Sequence, residues 1–256
     1  KSYNILFYYN DDSTTRYKSI FPKGPAFISG EDIFATYKDT DLNFFEPGAG
    51  KMKSEGYPLR IQVEQTIYSW GFGDYRDFIF ISYNIINKSS DILQEVWVAP
   101  VMDIDIAAYP NYSLGASNDR VRFYDKEDTL NLAVQWSNSD RGEANQGFGY
   151  LGFDFLESPA VDSSRFIRHD KRVFSNSEQI GLVTFRNWPI SEDKIEAEDR
   201  YNFMSAAVKD GDTGPGDKRF LMATGPFNMK PNDTARVVVG MMLAVPTKGA
   251  NADGSF

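Results

Sequence analysis

Short runs of aromatic and β-branched residues, closed off by Gly, Pro, Asn or Asp, recur along this chain and restrict its possible folds more than any other feature. The clearest are Tyr3–Tyr9, Leu59–Tyr68, Asp77–Ile86, Gln94–Val101, Leu130–Gln135, Gly149–Phe155, Ile180–Phe185, Lys218–Ala223 and Ala235–Val245. In Leu59–Tyr68, Ile61, Val63, Gln65 and Ile67 alternate with Arg60, Gln62, Glu64 and Thr66, the period of a half-solvated antiparallel strand. Ala235–Val245 is almost continuously apolar past Arg236, which predicts a central strand covered on both faces. Helical periodicity is weak. Ser191–Ala206, with its acidic run through Asp199, is the one segment that reads as a helix, with a solvated excursion as the alternative. The pattern predicts an all-β protein, a large antiparallel β-sandwich.

Aromatic residues make up 15% of the 256 residues, a composition suited to pleated, half-buried surfaces. A chain of this length buries roughly 70–75% of its unfolded surface and needs no covalent staples. One sandwich domain over residues 1–248 is expected, with 249–256 a flexible tail or the start of a linker. The segment Asp210-Gly-Asp-Thr-Gly-Pro-Gly-Asp217 reads as a turn-rich loop.

The formal net charge is −9 and basic residues are not clustered, so the electrostatic footprint of nucleic-acid binding is missing. No apolar stretch approaches the ~20 residues that span a bilayer, so no membrane insertion is expected. The chain has no Cys, which removes disulfides, thiolate zinc sites and cysteine nucleophiles from consideration. It opens on Lys1 rather than Met, the expectation being a removed export signal or a longer parent chain. The sequons at Asn87-Lys-Ser, Asn111-Tyr-Ser and Asn232-Asp-Thr are near chance frequency in a chain so rich in Asn and Ser.

No catalytic apparatus is recognisable. His169, the solitary histidine, lies in the charged stretch Arg165–Arg172 and cannot supply a paired-histidine zinc motif. There is no Gly-x-Ser-x-Gly elbow or phosphate-binding loop. Gly147-Phe-Gly-Tyr-Leu-Gly152 has dinucleotide-like glycine spacing but lacks a βαβ context, so the start of a strand is the better reading. Asp39, Asp41 and Asn43 open like an EF-hand loop, then fail at Phe44 and Gly50, where Gly and Glu are needed.

Two groups are candidates for binding. Asp103 and Asp105, two apart near a strand end, share one face, and Asn118 and Asp119 follow a Gly-containing loop. Calcium takes six to eight oxygen ligands, and this set supplies several; the competing reading is turn-capping aspartates. Asp210, Asp212 and Asp217 form a second oxygen-rich loop, better read as a turn. Among Trp70, Phe72, Tyr75, Trp97, Trp136 and Trp188, most should be core. Trp70, Phe72 and Tyr75, beside Gly71 and Gly73, are the set expected at the surface as a glycan-stacking platform.

Four stretches together resemble a recurring β-rich domain of large secreted and cell-surface proteins in Bacteroidota-type bacteria and their Chlorobi and Ignavibacteria relatives. They are Ser29–Asp41; Gln65–Trp70 with Asp77–Ser89; Val101–Ile106 with Asn118-Asp119; and Asp217–Asp233, which contains Gly225-Pro-Phe227. In that order they cover most of the chain from about residue 25 to 245. The resemblance implies export, often by the type IX route with a separate C-terminal sorting domain, and a place outside the cell or at its surface. It implies no established activity. At Ala107-Ala108 this chain departs from the family, where a Gly or acidic residue is common.

The leading reading is a non-catalytic structural or adhesive module, calcium-stabilised and self-assembling, whose partners are other copies of itself or other surface components. The Tyr3–Tyr9 run is a candidate edge or donor strand. The alternatives are a carbohydrate-binding module of a larger polysaccharide-active protein and, third, a glycoside hydrolase or lyase built on paired carboxylates.

Overall fold

The computed structural model describes residues 4–9, 28–39, 59–106, 117–124, 130–138, 149–170 and 173–244. The protein is all-β and antiparallel, as the strand pattern predicts, and its described residues hold a single α-helix. They divide into two compact units, the first ending at Leu93 and regaining Met229–Val239, the second holding Gln94–Asn228 and the chain from Gly240.

In the first unit, β1 (Asn4–Tyr9), β2 (Glu31–Lys38), β3 (Ile61–Ser69) and β4 (Phe78–Asn87) form a meander in strict antiparallel register, with Gln65 opposite both Ala35 and Tyr83. β1 is an edge strand, paired to β2 alone among the described residues. The sequence pattern does not predict β2, whose acidic start, Glu31-Asp32, leaves only a short apolar run behind it. Asp32 is fixed by accepting the N–H groups of Ile28 and Ser29 at 3.0 Å, and the Ser29 hydroxyl also bonds to it. In β3 the expected alternation does not become a buried and a solvated face: all nine residues are half-buried.

β12 (Thr234–Ala244) is an inner strand, next to β4 in its sheet. Val237 and Val239 are fully buried, as expected, whereas Leu243 is 59% exposed, so coverage ends before the strand does.

The second unit is a sandwich. One sheet contains β7 (Asp119–Phe123), β8 (Leu132–Ser137) and β9 (Tyr150–Glu157). The other contains β10 (Thr184–Pro189), β11 (Lys218–Met229), β5 (Leu93–Val98) and the short β6 (Val101–Asp103). Their facing sides meet through aromatic pairs with ring centroids 5.4 Å apart for Phe123–Phe185 and 5.8 Å for Phe153–Phe220. On the outer face of the smaller sheet, Trp188, Leu221 and Ala223 are covered by α1 (Ala197–Met204), whose Phe203 meets Trp188 edge-on at 5.0 Å. Gly149 leads directly into β9, in keeping with the strand-start reading of that glycine run.

Candidate functional site

The β3–β4 turn begins where β3 ends at Ser69, whose N–H donates to the Ser29 hydroxyl at 3.1 Å. A one-turn 3-10 segment, Gly73–Tyr75, follows, and Gly73 has φ +63°, a conformation that glycine adopts at no steric cost. This geometry turns the aromatics outward. Phe72 is 66% and Tyr75 59% exposed, while Trp70 is half-buried with Tyr75 at 6.0 Å and Phe80 edge-on at 5.8 Å. Ile28, 63% exposed, lies close by in sequence to Gly30, which packs on the Trp70 backbone. Trp136 and Trp188 are core residues, and Trp97 is half-buried.

The acidic candidates separate. Asp103, opposite Arg219 in the β6–β11 register, accepts that guanidinium at 2.8 Å. Arg219 also pairs with Asp193, which accepts the Trp188 indole N–H at 2.7 Å. Asp119 goes elsewhere: it is fully buried and accepts the Ile106 N–H at 3.1 Å and the Gln135 amide at 2.9 Å. Burial pushes its carboxyl up to about 7 against the lowering effect of those two donors, and the charges of Asp105 and Asp217 raise it further. Asp217 is raised too, by desolvation and by Asp105 and Asp103. Asn118 contributes its backbone carbonyl to the Asn138 N–H. Among the described residues no three acidic or histidine side chains converge into a metal cage by themselves.

Asp210 and Asp212, in the second oxygen-rich loop, are held by Arg186 at 2.9 Å and Arg120 at 2.6 Å, which fits the turn reading. Asp39 accepts the N–H groups of Leu59 and Ile61, both at 2.7 Å. Asp41, Asn43, Ala107 and Ala108 lie outside the described residues. His169 is exposed.

Two features escaped the sequence reading. Gln135 is a large polar residue amid the apolar run of β8, a signal that could have marked it, yet nothing local joins it to Asp119. A groove of about 570 Å³ in the second unit is lined by Trp97, Val161, Asp162, Arg165, Ser205 and Pro226, among others. Arg165 and Ala207 on its wall have φ of +63° and +52°. Non-glycine residues hold such angles only where surrounding structure compels them. Arg165 donates to the Pro226 carbonyl at 2.9 Å. No helix among the described residues is long and apolar enough to cross a membrane. No protein-family model matches the chain, and a search of curated proteins finds no match either.

Proposed function

We propose that the chain is a non-catalytic adhesive module of a secreted or cell-surface protein and meets its partner through the β3–β4 turn. The observation that carries this reading is the outward placement of Phe72 and Tyr75, 66% and 59% exposed, beside Trp70. Rings held in water add nothing to folding, whereas each one buried by a partner contributes on the order of 2–3 kcal/mol. The turn is also pre-positioned: Ser29, itself tied to Asp32, holds Ser69 at its base, so less ordering is needed on binding.

The test is adhesion of beads coated with the whole protein, either to immobilised polysaccharide or to beads carrying the same protein. Phe72→Ala/Tyr75→Ala should abolish retention on one of these surfaces while leaving the melting temperature unchanged. Equal retention of wild type and double variant would remove the turn from the contact.

Carbohydrate binding in the groove is the second reading, favoured by Trp97 and the polar groups of Asp162, Arg165 and Ser205 along one wall. Soluble oligosaccharide binding that survives loss of Phe72 and Tyr75 and disappears in Arg165→Ala would support it over the first.

A further inference from the structure

The bend at Asp162–Phe166, on the wall of the groove in the second unit, puts an arginine where the backbone favours glycine. The Arg165 N–H donates to the Asp162 carbonyl at 3.0 Å, the Asp162 N–H to the Phe166 carbonyl at 2.9 Å, and Val161 pairs with Ile167 across the bend. In a hairpin of this form the last loop residue is left-handed, a conformation that glycine adopts at no steric cost. Arg165 adopts it at φ +63°. A side chain kept there against the backbone's preference points to a use for the side chain itself. Its Nη1 is anchored on the Pro226 carbonyl at 2.9 Å, while Nε and Nη2 have no partner among the described residues. No described carboxylate pairs with it, whereas Arg120, Arg168, Arg186 and Arg219 each hold an aspartate. In a chain of net charge −9, this guanidinium is fixed in place and left open on a groove wall.

Trp97, half-buried, lines the same groove. Asp162 engages Oδ1 with the N–H groups of Ser164 at 2.8 Å and Phe166 at 3.0 Å, which leaves Oδ2, with the Ser163 and Ser205 hydroxyls, to meet the hydroxyls of a ligand. We propose that the groove binds a hexuronic acid residue of an acidic polysaccharide, its carboxylate on Arg165, its ring on Trp97 and its hydroxyls on Asp162, Ser163 and Ser205. A guanidinium edge with two free N–H groups matches a carboxylate through two parallel bonds, and an indole offers a sugar ring an apolar surface. A neutral sugar would use the ring and hydroxyl contacts and leave the guanidinium unanswered. This assignment rests on the carbohydrate reading of the groove and adds the charge of the sugar to it. It involves none of the residues of the β3–β4 turn.

The experiment is titration calorimetry of the whole protein with trimers of galacturonic, glucuronic and mannuronic acid and with their methyl esters, which keep the rings and hydroxyls but lose the charge. At least one acid trimer should bind saturably and about tenfold or more tighter than its ester, the effect of one charge-assisted pair. Arg165→Gly, the residue that φ +63° favours, should still unfold cooperatively and should bring the acid trimer down to the affinity of its ester. N-acetylphenylalanine, a carboxylate and a ring without a sugar, should not compete. Equal affinity for acid and ester, both lost in Arg165→Gly, would overturn the uronate assignment and leave the carbohydrate reading standing. A preference for the acid that survives in Arg165→Gly, or competition by N-acetylphenylalanine at the trimer's own affinity, would also overturn it. No heat from any trimer or ester at about 5 mM would remove the carbohydrate reading together with it.

Discussion

Asn87 closes a corner of the first unit with one carboxamide. Its Nδ2 donates to the carbonyls of Asp91 at 2.9 Å and of Met229 and Lys230 at 3.2 Å, while its Oδ1 accepts from the Ser89 N–H and hydroxyl. The side chain is fully buried, so the Asn87-Lys-Ser sequon is occupied by structure. Asn87→Ala would leave several buried groups without partners and should cost about 3 kcal/mol, measured by denaturant unfolding. Tyr83 shows a second residue-scale effect. Burial, and then the neighbouring Tyr37, push its phenol up to about 12 from 10.0. The folded state therefore holds the proton more tightly than the unfolded chain. The resulting stability is fully present below pH 10 and is lost as pH rises through 12, a loss of about 3 kcal/mol. Tyr83→Phe should flatten the stability profile across that window; an unchanged slope would show that Tyr83 does not titrate there.

At the scale of elements, β11 runs six residues past the expected Lys218–Ala223, through Gly225, to Met229. Gly225 sits at φ +146°, and a Cβ there would lie 2.7 Å from Trp97 Cδ2 and 2.8 Å from the Val96 carbonyl oxygen. Backbone and indole both block any side chain. Gly225→Ala should cost about 2–4 kcal/mol and lower the melting temperature, with Gly181→Ala, at a positive φ in open space, as the milder control. The neighbouring β10 shows why α1 is legible in the sequence only as a choice between helix and excursion. Its eight residues bury none of their own side chains fully, and its role is to lay Phe203 across Trp188, with Arg186 4.0 Å above the Phe203 ring. A helix that contributes one ring to a sheet has no apolar stripe to read.

At the scale of the whole molecule, composition and alternation were enough to establish an antiparallel all-β chain, because a two-residue period of side chains is written in consecutive residues. The same local signals placed β12 centrally and marked Trp70, Phe72 and Tyr75 for the surface, where Phe72 and Tyr75 lie while Trp70 is half-buried, because Tyr75 and Phe80 pack against it. The missing cysteines and the net charge of −9 were equally direct. The partners of each aspartate were not. Asp103 and Asp105 look equivalent in sequence, but β6–β11 register puts Arg219, 116 residues away, opposite the first, while the second lies past the end of β6. Gln135 meets Asp119 because antiparallel pairing sets Val121 opposite Gln135 and so carries both side chains onto one buried face. The chain alone marked most of the strands, but not β2 or β7. Only tertiary structure decided which charges neutralise one another, because register is a relation between distant strands and no short stretch of sequence contains it.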